Sequence, residues 1–174
     1  MVPHNLGNTL ATHHDAMTSA RLAALLEEDS PRILINWSMH IATLPILRAL
    51  PDLSLDDLQR DMPRLLSEIL HSAGRSPYER NEEPMNVATD LALEHGRERA
   101  AIFPIEAVLS EIQILVREVR SALWRLGAGF ATEMILELED RLREVFDEVE
   151  CAVAVGWVKQ TLEMAAIEWK EATA

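Results

Sequence analysis

One cysteine, one tyrosine, three phenylalanines and six glycines in 174 residues rule out more than they supply. Cys151 is alone, so no internal disulfide and no thiolate metal cluster can form, which fits a reducing, cytoplasmic compartment. No apolar run reaches the roughly 20 residues needed to cross a bilayer. The opening Met1-Val2-Pro3-His4-Asn5 also lacks the basic stretch and apolar core of a signal peptide, so no membrane partner is expected. Basic charge is short as well. Sixteen Lys and Arg stand against 29 Asp and Glu, a formal charge of −13, and no cluster of Lys or Arg offers a local strip for a phosphate backbone. Nucleic acid is therefore excluded as a partner. The chain contains no H-E-x-x-H, no G-x-S-x-G, no P-loop and no glycine-rich dinucleotide turn, and it is read as non-enzymatic, with no catalytic residues.

Strand signals are missing too, since no stretch alternates apolar and polar residues between Gly/Asn turns. Leu, Ala, Glu and Arg, all good helix formers, dominate after residue 16. The expected fold is all-α, a bundle of about six helices with a long C-terminal helix. Residues 1–16 hold three of the six histidines and little that could anchor them, and are expected to form a flexible arm. His4, His13 and His14 on such an arm have no fixed geometry, so no metal site is assigned to them. Residues 17–130 form the helical domain, and residues 131–174 the long terminal helix.

Within that domain a first helix runs from about Met17 to Glu28. Ser30 before Pro31 then reads as an N-cap with proline at the first helical position. Leu34, Trp37, Ile41 and Leu44 mark the second helix, which Pro45 kinks or ends. Ser54 and Asp57 resemble a capping box for a third helix carrying Leu58, Met62, Leu65, Leu66 and Ile69, bent or restarted at Pro63. A long loop covers Gly74 to Pro84. The fourth helix, to about Ala101, buries Ala88, Leu91, Ala92 and His95. The fifth, from Pro104 to about Leu126, carries a clean stripe through Val108, Ile112, Val116, Val119 and Leu123 and stops at Gly127-Ala128-Gly129.

The final segment, Ala131 to Thr173, would span roughly 60 Å as one helix at about 1.5 Å per residue. Ile135, Leu138, Leu142, Val145, Val149 and Ala152 follow the 3–4 steps of a seam that faces another helix, with Glu137/Arg141 and Glu139/Arg143 as i,i+4 support. Two arrangements fit this pattern: the seam packs on a second chain, or the helix folds back on its own bundle with a break near Gly156. The first implies a homodimer whose interface contains Ile112, Val119, Leu138, Leu142, Val145 and Val149. Between residues 133 and 150, eight carboxylates face two arginines; this is a solvated face or a docking strip for a basic partner.

His95 on the fourth helix has three readings: an axial ligand of haem type, a proton-linked switch, or a hydrogen-bonded core residue. A phosphoacceptor role is disfavoured because its neighbour is Gly96 and not an acid. With Trp37 it is the candidate lining of a small-molecule or cofactor pocket, although no cofactor is assigned. Trp124, Trp157 and Trp169 lie at unrelated helical phases and read as packing anchors.

Three runs, Leu58-Gln59-Arg60-Asp61-Met62-Pro63-Arg64-Leu65-Leu66, Ala92-Leu93-Glu94-His95-Gly96-Arg97-Glu98-Arg99 and Ile105-Glu106-Ala107-Val108-Leu109-Ser110-Glu111-Ile112, occur in that order. With them the chain resembles the RsbRD N-terminal domain family over about residues 20–127. The family's proline-then-paired-leucine turn falls on Pro63, Leu65 and Leu66, its His-Gly-x-x-Arg run on His95, Gly96 and Arg99, and its L-x-E helix on Leu109 and Glu111. Where similar domains carry a glycine before the aromatic that opens the fifth helix, this chain has Ile102-Phe103-Pro104. The resemblance implies a haem-free, globin-like sensory domain of bacterial stress-response signalling that dimerises and meets a protein partner of its pathway. With no length left after Ala174 for an output domain, the chain is expected to be an excised sensory module or a free-standing relative.

Overall fold

The computed structural model describes residues 19–45, 59–75 and 87–173. These residues form six α-helices and no strand, the all-α fold expected from composition. They are α1 (residues 19–28), α2 (Ser30–Ile41), α3 (Met62–Gly74), α4 (Val87–Ala100), α5 (Ile105–Leu126) and α6 (Thr132–Ala172), with one 3-10 turn at Gly127–Gly129 before α6. The arm at residues 1–16, the capping box at Ser54 and Asp57, and most of the loop before Pro84 lie outside the described residues.

Local chemistry sets the boundaries. Pro31 and Pro63 both occupy the first turn of their helices, where a missing N–H leaves no bond unmade, so Pro63 starts α3 and does not bend it. Ser30 was expected to cap α2. It is instead the first helical residue, because only Asp29 separates α1 from α2 and that residue stays near helical geometry at φ −85°, ψ −2°. The Asp29 carboxylate makes no cap and pairs with Arg125 of α5.

One continuous core gathers Leu22 and Leu26 of α1, Ile33, Trp37 and Ile41 of α2, Leu65, Leu66 and Ile69 of α3, and the inner stripes of α5 and α6. Each such side chain contributes about 1.5–3 kcal/mol by leaving water. The six positions assigned to a dimer seam belong to this core: Ile112, Val119, Leu138, Leu142, Val145 and Val149 are at most 1% exposed within a single chain. The 3–4 spacing was right about a partner helix. The partners are α5, α3 and α4 of the same molecule, which produce the same periodicity as a second chain.

Helix α6 runs unbroken through 41 residues, and Gly156 does not interrupt it. That glycine marks a crossing. A Cβ built on Gly156 would stand 2.1 Å from the Leu93 carbonyl oxygen, and one on Gly96 would stand 2.1 Å from the Val153 carbonyl oxygen. Backbones of α4 and α6 therefore touch directly. Small residues at fourfold spacing on α4, Ala88, Ala92 and Gly96, are all buried and make this approach possible, and among the described residues α4 with α6 is the most extensive helix pairing.

Candidate functional site

Each turn of α4 past Ala92 faces two neighbours. Gly96 lies against α6, while His95 and Arg99, four residues apart and hence on one side of the helix, turn toward α5. Both reach Glu111, which sits at a core position of the α5 stripe and has no exposed surface. His95 Nε2 lies 3.2 Å from Glu111 Oε2, and Arg99 Nε lies 3.5 Å from the same oxygen. An ionised carboxylate only accepts, so the His95 Nε2–H donates. The buried anion is thus balanced by the Arg99 guanidinium, as burial of a carboxylate demands.

The cluster is tied on both sides. Trp37 Nε1–H donates to the Glu111 backbone carbonyl at 2.9 Å, anchoring α2 to the same point of α5. The Arg99 guanidinium lies 5.8 Å from the centre of the Phe103 ring, and the Phe103 carbonyl accepts a 2.8 Å bond from Trp157 Nε1–H of α6. Glu111 Oε1 is buried and makes no hydrogen bond. The candidate pocket residues His95 and Trp37 therefore meet, but through Glu111 and as core partners. The Nε2 nitrogen that a ligand-binding histidine would offer is engaged by a carboxylate.

Periodicity singled out His95 alone; Arg99 and Glu111 entered only as positions of the family resemblance, with no role attached. The signal for both was present. Glu111 falls between Val108 and Leu115 on the apolar face of α5, and Arg99 is one turn beyond His95; a charged residue at a core phase needs an opposite charge on the helix it faces. Of the tryptophans, Trp157 is an anchor as expected, but Trp124 and Trp169 are 47% and 73% exposed. His40, which stood alone in the sequence, pairs through Nδ1 with Glu118 Oε1 at 3.1 Å and links α2 to α5.

The acidic stretch of α6 is partly structural. Arg141 pairs with Glu137 as expected, whereas Glu139 is taken by Arg120 of α5 and Arg143 turns to Asp140 at 3.0 Å. A shallow groove of about 150 Å³ lies between α5 and α6, floored by Val116, Leu142 and Phe146 and rimmed by Arg120, Arg143 and Glu150. Burial in this rim, and repulsion from Asp147, push the Glu150 carboxyl above the ordinary range. Glu98 is raised as well, first by burial and then by a hydrogen bond with Asp61 and repulsion from Asp61 and Glu94, with His95 opposing. Among the described residues no group of three His, Cys, Asp or Glu side chains could hold a metal, and no helix is long and apolar enough to cross a membrane.

No protein-family model, curated protein or solved structure matches this chain.

Proposed function

We propose that this chain is a non-catalytic regulatory module of bacterial signal transduction, of stress-response type, that transmits a change in helix packing to a protein partner through α6. The observation that supports this is the double engagement of α4. Its His95-Gly96-x-x-Arg99 segment holds the Glu111 carboxylate of α5 with one face and touches the α6 backbone with the other. A disturbance at Glu111 must shift α4, and α4 cannot shift without moving α6, because no side chain cushions the Gly96 and Gly156 contacts. The far end of α6 then carries that shift to the surface. The family resemblance, with the sensory domain and protein partner it implies, agrees with this reading. A few kcal/mol of bias between two packings is enough for such a relay.

Hydrogen exchange tests the coupling. In Glu111→Gln, amides of α6 between residues 149 and 160 are expected to lose protection together with those around His95. The control is Ile41→Val, a core truncation in α2. Protection lost around His95 but kept in α6, or lost equally in the control at matched stability, would remove the relay.

A further inference from the structure

The outward face of α6, opposite α4, changes character at one residue. Over its first half that face carries Glu133, Glu137, Asp140, Glu144, Asp147 and Glu148. From Cys151 onward the same face carries Val155, Val158, Leu162, Ala165 and Trp169, all exposed, at alternating steps of four and three. The inner face over this stretch is already used by Ala152, Val153, Gly156 and Trp157 against α4 and Phe103.

We propose that this apolar face docks a second copy of the same chain, with the two α6 helices antiparallel along residues 151–169. The inference rests on α6 being the output element and names what that element meets. The spacing is that of a two-stranded coiled coil, so the occupant is a helix with the same repeat. Val155, Val158, Leu162 and Trp169 are 40, 45, 66 and 73% exposed, and with the exposed Cys151 and Ala165 they present roughly 500 Å² of surface per chain; two such faces, fully covered, would bury roughly 1,000 Å², the lower bound of a specific interface.

Charge fixes the direction. A parallel pair would carry the six carboxylates of one chain toward the same six of the other, while an antiparallel pair sends the two acidic halves to opposite ends. The antiparallel register that matches alternate seam positions sets Cys151 opposite the partner's Trp169, Val155 opposite the partner's Ala165, and Val158 opposite the partner's Leu162. Each layer then joins a larger side chain to a smaller one, so the face is complementary to itself.

Sedimentation equilibrium of the full chain, under reducing conditions, should give a dimer. The variant Val158→Asp with Leu162→Asp should keep its helical circular dichroism, because both positions are exposed, and weaken dimerisation at least about a hundredfold. Orientation is read in a Cys151→Ser background. Val158→Cys and Leu162→Cys chains should not cross-link alone on mild oxidation and should cross-link when mixed. A monomer at every concentration, or a dimer indifferent to the paired aspartates, would overturn the proposal. Self-cross-linking of each single variant would overturn the antiparallel arrangement. The exchange coupling between Glu111 and α6 is measured within one chain, so a negative result here leaves that relay standing and a negative result there leaves this interface standing.

Discussion

Glu111 is the residue on which the interior turns, since a carboxylate with no exposed surface is tolerated only where its charge is met. Removing its counter-charge should therefore cost more than removing the charge itself. Arg99→Met is expected to lower unfolding free energy by about 3–5 kcal/mol in urea titration, the cost of stranding a buried ion. Replacing Glu111, Arg99 and His95 together by leucine or methionine should recover most of that loss; a triple variant less stable than Arg99→Met would show that the cluster is held by packing and not by charge. Glu98 gives the opposite case. Its carboxyl is raised by burial and Asp61, so the folded chain holds that proton more tightly than the unfolded chain. The resulting stability is present in full below the ordinary carboxylate value and is lost as pH rises through the raised one. Glu98→Gln should accordingly raise the thermal midpoint at neutral pH and leave it unchanged in acid.

Elements show where the sequence could be read and where it could not. Helices α5 and α6 were legible because their inner stripes are apolar, and the 3.6-residue period needs no tertiary knowledge. Helix α4 was legible as a helix, but its role was not, because its buried face is Ala88, Ala92, Gly96, His95 and Arg99, small or charged where a hydrophobic pattern looks for leucine. Gly156 shows the same limit. Propensity reads a glycine inside a helix as a weak point, and only the neighbouring helix reveals that the missing Cβ is what lets the backbones meet. The dimer seam was misplaced for a related reason, since periodicity reports that a helix has a partner and not which molecule supplies it. Gly156→Ala should thus destabilise by about 1–3 kcal/mol although alanine favours helix, because its methyl group would force α4 and α6 apart. A midpoint in guanidinium equal to or above the parent would mean that the crossing is slack. Gly129→Ala, with open space around its Cβ position, is the matched control.

At the scale of the whole molecule, charge and apolar surface set opposite salt dependences for the two ways α6 could meet a partner. The chain carries −13 overall, most densely along the first half of α6, and two copies repel each other at low ionic strength. Their proposed contact lies on the second half and is apolar, so its strength does not depend on charge pairs that salt would screen. Raising ionic strength shortens the reach of the repulsion, to about 8 Å at physiological salt and about 3 Å at 1 M, and leaves the apolar contact intact or strengthened. Self-association measured by sedimentation should therefore tighten as salt is added. Docking of a basic partner on the acidic half would weaken over the same range, since that attraction is what salt removes. The end of α6 supplies an internal reporter of which contact forms. Residues 165–173 are exposed within one chain and have no bundle to hold them, so their amides should exchange freely when dilute and slow down as concentration or salt increases. If association were to loosen with salt while those amides stayed unprotected, the acidic half of α6 would be the contact surface and the apolar face would be bystander surface.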